Sequence, residues 1–131
     1  TSLEIFKQNK IFGSGLRTFK VSCDKVLIVK SGQNKKGVCT THPHNFYLEI
    51  LSDLGILFFL IFLYLHLYIF IKIILSLAND KAYLLPLLAQ GIVLFFPFQT
   101  TGSYFSSWNS FFYVLFYSLV INYFVLKKTK T

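Results

Sequence analysis

The sequence has no methionine, a single arginine and no cysteine in any of its long apolar stretches. With neither a start residue nor a signal peptide ahead of Thr1, the chain is expected to be a piece of a longer protein. It also lacks internal repeats and low-complexity tracts, which excludes a solenoid and a disordered linker. Polar surface is scarce too: 54% of the 131 residues are hydrophobic and 19% aromatic, with 16 Phe, 8 Tyr and a mean hydropathy of +0.58. Soluble domains of this size are not built this way. The net charge of +8 is a weak argument for nucleic-acid binding in a chain that is mostly apolar. A basic loop beside a membrane suits anionic headgroups or a diphosphate better.

Three apolar segments, 54–77, 83–98 and 108–126, approach the ~20 helical residues that cross a hydrocarbon core of roughly 30 Å. Pro86, Gly91 and Pro97 interrupt the middle one, which neighbouring helices make tolerable in a membrane. The expected fold is an all-α membrane protein with about three transmembrane helices after a loop with short helical segments. It reads as a fragment of a larger helical bundle, divided into a loop region at 1–53 and a membrane region with a basic tail at 54–131.

The basic residues cluster: Lys7, Lys10, Arg17, Lys20, Lys25, Lys30, Lys35 and Lys36 precede the first apolar segment, and Lys127, Lys128 and Lys130 follow the last. An odd number of crossings puts the two clusters on opposite sides. The larger basic count, on the loop, argues for a cytoplasmic loop, but charges next to a crossing weigh most and the tail is basic immediately after Leu126, so the loop is expected outside and the tail inside. Cys23 and Cys39 both lie in that loop, where an oxidising compartment would let them pair and a reducing one would leave two thiols.

Along the chain, residues 1–10 suit a short amphipathic helix on the membrane surface, ended by the flexible turn Gly13-Ser14-Gly15. Residues 26–29 read as a small strand or a buried loop segment, and 31–37 as a polar turn. A short connection at 78–82 makes the first two crossings antiparallel, and the loop 99–103 returns toward the side of His44.

The densest polar motif is Thr41-His42-Pro43-His44-Asn45-Phe46-Tyr47-Leu48-Glu49. Pro43 suits the first turn of a helix capped by Thr41 or His42, which would align His44, Leu48, Leu51 and Gly55 on one stripe. A histidine at a helix start is biased toward the neutral form and can take a proton from a hydroxyl. Its plainer reading is a loop histidine that only hydrogen-bonds. Cys39, His42, His44 and Glu49 are zinc donor types. A helix from Pro43 would turn the two histidines about 200° apart, however, so no metal is expected. Arg17, just after the glycine turn, presents a planar fork suited to phosphate oxygens. His66 is read as a packing histidine with a helix partner, and Lys72 as snorkelling to an interface. Glu49 and Asp53 fall on a face away from His44 if the helix continues, which argues against a hydrolase pair.

The segment His42-Pro43-His44-Asn45-Phe46-Tyr47-Leu48-Glu49, with Gly55 following, resembles the carboxy-terminal hallmark of the bacterial O-antigen ligase and O-antigen polymerase superfamily. That pattern is H-N-x9-G with a small or polar residue three further on, a position held here by Phe58. The stretch from Ile11 to Phe19 is similar to the family's G-x-G turn. Thr101 to Phe105 with Trp108 and Asn109 is similar to its G-S-x-F-x-x-W-N segment. The resemblance implies a multi-pass enzyme of the bacterial inner membrane whose periplasmic loop moves a glycan from undecaprenyl diphosphate to an acceptor hydroxyl, with no cofactor. The acceptor would be lipid A core, another glycan or a protein hydroxyl. By the resemblance, His44 is expected as the base, with His42 as the alternative, and Asn45 as orienting the helix start. Arg17 and Lys20 are expected on the diphosphate, and Cys23, Cys39 and Gly55 in structural roles. The competing expectation is a non-catalytic membrane subunit or transporter whose basic loop holds anionic lipid.

Overall fold

Helices dominate because long apolar runs satisfy their backbone internally in no other single-segment form. The computed structural model describes residues 1–31, 39–98 and 100–128 of the chain. Among them are five helices and no strand: α1 (Ser2–Gln8), α2 (Phe19–Ser31), α3 (Phe46–Ser76), α4 (Lys81–Leu94) and α5 (Ser107–Lys128). They fall into two compact units. One comprises Thr1–Tyr64 with Pro97–Phe105, the other Leu65–Phe96 with Ser106–Thr131.

In the first unit, α1 and α2 share a small core of their own. Phe19, Cys23 and Val26 recur at helical spacing on one face of α2 and close over Ile5, which is 1% exposed. This corrects the reading of 26–29 as a strand or loop. Four apolar letters carry no period, whereas the face from Phe19 to Val26 does. The short helix expected within residues 1–10 is present as α1, with Ile5 packed on α2 and Leu3 exposed. Cys23 and Cys39 form a disulfide with Cα atoms 6.0 Å apart. The polar turn expected at 31–37 lies outside the described residues from Gly32 onward.

Helix α3 is interrupted at Gly55, whose backbone is non-helical (φ 77°, ψ −177°). Residues 56–76 alone span about 31 Å, enough for a crossing of roughly 30 Å. Phe46–Ser76 and Ser107–Leu126 are the two helices long and apolar enough to cross a membrane among the described residues. The segment expected at 83–98 corresponds to α4, which has 14 residues and a length of about 21 Å.

In the second unit, α4 starts on Asp80, whose Oδ1 accepts the Tyr83 N–H at 3.2 Å. It packs on α5, with Tyr83 and Tyr123 stacked at 5.3 Å. Gly91 is buried on the same side, with the rings of Phe70 and Phe116 close over it. His66, 8% exposed, pairs through Nε2 with the Tyr117 hydroxyl and lies 4.1 Å from the Phe95 ring. The Lys72 ammonium rests 5.5 Å from the centre of the Tyr68 ring.

Candidate active site

The described residues singled out in the loop region belong to the first unit, and hydrogen bonds between distant backbones join the glycine turn, the first part of α3 and the return loop. The turn at 10–15 lies across the break in α3. Ile56 N–H donates to the Lys10 carbonyl, Ser14 N–H to that of Ser52, and Gly15 N–H to that of Asp53, each at 2.9 Å. The contact is so close that a β-carbon on Gly13 would fall 2.3 Å from the Asp53 carbonyl. One on Gly55 would fall 2.3 Å from that of Ile11. Both glycines have positive φ, so a side chain there would meet steric and conformational cost together. Gly55 is therefore a seat for the glycine turn and not a small residue on a helical stripe with His44.

The turn ends on Arg17, and here the backbone takes the left-handed conformation (φ 59°). Its N–H donates to Asp53 Oδ2 at 2.9 Å. Its guanidinium donates through Nη2 to the Phe105 carbonyl at 2.8 Å. Asp53 is fully buried, and its Oδ1 has no hydrogen-bond partner among the described residues. Thr18 Oγ1 closes the turn onto the Gly15 carbonyl at 2.7 Å. Arg17 and Lys20 are exposed.

The histidine box differs from its sequence reading. Helix α3 begins at Phe46, and its cap is Asn45, whose Oδ1 accepts the Leu48 N–H at 3.1 Å. His44 therefore precedes the helix, again in a left-handed conformation (φ 56°). The two histidines do not diverge: their rings meet edge to face with centres 4.5 Å apart. Pro43 suggests a helix start by its fixed φ, but a left-handed His44 cannot continue one. Cys39 is tied up in the disulfide, so its thiolate is not offered to a metal.

The return loop Pro97–Phe105 is stitched to this box. Thr101 N–H donates to the His44 carbonyl at 2.8 Å, Thr101 Oγ1 accepts the Phe46 N–H at 3.1 Å, and Asn45 Nδ2 donates to the Pro97 carbonyl at 2.8 Å. Gln99 lies outside the described residues. Lower in the loop, the Glu49 carboxylate takes the Ser103 hydroxyl at 2.5 Å and the Tyr104 N–H at 2.6 Å. Glu49 is 3% exposed, and two short charge-assisted bonds offset its loss of water.

Residues 1–63 match the protein-family model described as O-antigen ligase. No curated protein and no solved structure matches the chain. The match supports the O-antigen ligase family, and with it an enzyme of ligase or polymerase type in a membrane. It takes in Arg17, Lys20, Cys23, Cys39, His42, His44, Asn45 and Gly55. The return loop, which shares five hydrogen bonds with the segment from His44 to Glu49, lies outside it.

Sequence reasoning passed over Glu49 and Asp53 as participants in this arrangement. The signal was present, because a carboxylate amid an apolar run is rarely buried without dedicated partners. Its partners are 36 to 55 residues away in sequence, and no local pattern names them.

Proposed function

We propose that this chain holds the active loop of a glycosyltransferase that moves a glycan from an undecaprenyl diphosphate carrier to an acceptor hydroxyl, building a bacterial surface polysaccharide. The acceptor oxygen attacks the anomeric carbon as its proton passes to the imidazole of His44. The bond from that carbon to the diphosphate oxygen breaks, and undecaprenyl diphosphate departs. Arg17, whose guanidinium has donors beyond the one given to Phe105, stabilises the charge that develops on the leaving oxygens, with Lys20 close in sequence adding positive potential. His42, against the His44 ring, is the alternative base. Asn45 sets the first turn of α3 behind them. No metal enters the scheme, since diphosphate is already a good leaving group.

One observation carries this reading. Among the described residues, Arg17 and His44 are the two with positive φ that are not glycine, and each is held there by long-range hydrogen bonds. Left-handed backbone costs a residue with a side chain about 1–2 kcal/mol, and such strain gathers where side-chain aim matters more than local stability. The Cys23–Cys39 disulfide supports placing the loop on the periplasmic face of the inner membrane, because disulfides persist in oxidising compartments.

The test is a surface-glycan ladder from cells whose sole copy of the gene carries His44→Ala, with membrane abundance checked. Loss of the ladder at normal abundance, with lipid-linked glycan accumulating, is expected. The length of the accumulated glycan separates failed polymerisation from failed ligation. An unchanged ladder would transfer the case to a transporter or lipid-holding subunit.

A further inference from the structure

Glu49 and Asp53 stand four residues apart on the first part of α3, both buried, and both are engaged with segments that meet at Arg17. From these contacts we infer that the two carboxylates are positioning residues for the Arg17 guanidinium. Asp53 acts from the backbone side. By accepting the Arg17 N–H it stabilises the left-handed conformation that aims the side chain. Glu49 acts from the far end. It grips Ser103 and Tyr104, and the next residue, Phe105, offers the carbonyl to which the guanidinium is tethered.

At Glu49 the number of donors explains why an acid does this work. A neutral acceptor would leave part of the demand of two convergent donors at Glu49 unmet, whereas a carboxylate has an oxygen for each. Neither carboxylate contacts the guanidinium itself, as the bonds to Arg17 run through its backbone N–H and the Phe105 carbonyl. Among the described residues Arg17 therefore makes no ion pair, which leaves its guanidinium available to an anionic ligand. The loop 103–105 becomes part of the diphosphate site although it lies outside the family match. The inference rests on the proposed role of Arg17, so its test reads binding and not turnover.

Inorganic diphosphate is titrated onto the purified full-length protein by calorimetry, for Asp53→Leu and Glu49→Leu, each in the wild-type and the Arg17→Ala background. Each single variant is expected to raise Kd about tenfold, the loss of one charge-assisted contact, and to add less than about twofold once Arg17 is gone. Asp53→Asn, which keeps an acceptor for the Arg17 N–H, is expected to restore affinity to within about threefold of wild type. Equal losses in both backgrounds would overturn the inference. A second readout is amide exchange across 100–105, expected to accelerate in Glu49→Leu and not in Asp53→Leu; unchanged exchange in Glu49→Leu removes the grip on the loop. If His44→Ala still transfers glycan, the transferase reading fails while these binding and exchange results judge the carboxylates separately.

Discussion

Both units pack aromatic rings, with Phe46, Phe62 and Tyr104 meeting in the first, and they differ in the directional bonds added to that packing. In the first, the buried polar residues Glu49, Ser52 and Asp53 and the backbones at 10–15 and 97–105 are joined by directional hydrogen bonds. In the second, rings gather around Phe95, which touches His66, Phe70, Tyr113, Phe116 and Tyr117. Many of its large apolar side chains, Leu75 and Val114 among them, face outward, as suits lipid. Directional bonds place atoms to fractions of an ångström and tolerate little displacement. Ring packing is softer and leaves neighbours room to adjust.

Glycine substitutions test that contrast most severely. Gly55→Ala drives a β-carbon into backbone atoms that have no rotamer to yield. It is expected to cost about 4 kcal/mol or more, combining overlap with left-handed strain, and should show as near-complete loss of folded protein in detergent-solubilised membranes. Gly91→Ala also creates a close approach, at 2.9–3.0 Å, but to the rings of Phe70 and Phe116. Rings can tilt, so a cost of about 1–3 kcal/mol and a lowered but measurable Tm are expected. Equal damage from the two would erase the distinction between the units.

Next in size is the disulfide. Cys23→Ser, or reduction of the purified protein, is expected to cost about 2–5 kcal/mol. Exchange protection should fall in α1 and α2 and hold in α4 and α5; a uniform loss would mean the units unfold as one. Asn45→Ala removes both the cap of α3 and the bond to Pro97, with an expected cost of about 1–2 kcal/mol. Exchange at the first turn of α3 reads it directly. The smallest effect belongs to the second unit: Tyr117→Phe deletes the partner of His66 and is expected to cost about 0.6 kcal/mol, seen as a small Tm shift. A larger loss would show that unit to depend on hydrogen bonding as much as the first.

Several features were readable from composition and spacing. The apolar lengths of α3 and α5 were plain, and so were the turn at 13–15 and the opportunity for Cys23 and Cys39 to pair. The helical face Phe19, Cys23 and Val26 is equally present in the letters, although residues 26–29 by themselves carry no period. The start of α3 is ambiguous in sequence because Pro43 and Asn45 both carry valid start signals. What chose between them was the tie of His44 to Thr101, a residue 57 positions later.

Hydropathy and cap chemistry belong to each residue and its near neighbours, so the chain alone determined that its apolar runs become helices and that most of its charged residues precede the first of them. Which backbones touch is a property of the folded chain. Only tertiary structure seated Gly13 against Gly55 and turned Arg17 and His44 left-handed. It also gave Glu49 and Asp53 partners, because each of those contacts closes a loop of tens of residues whose ends carry no record of one another.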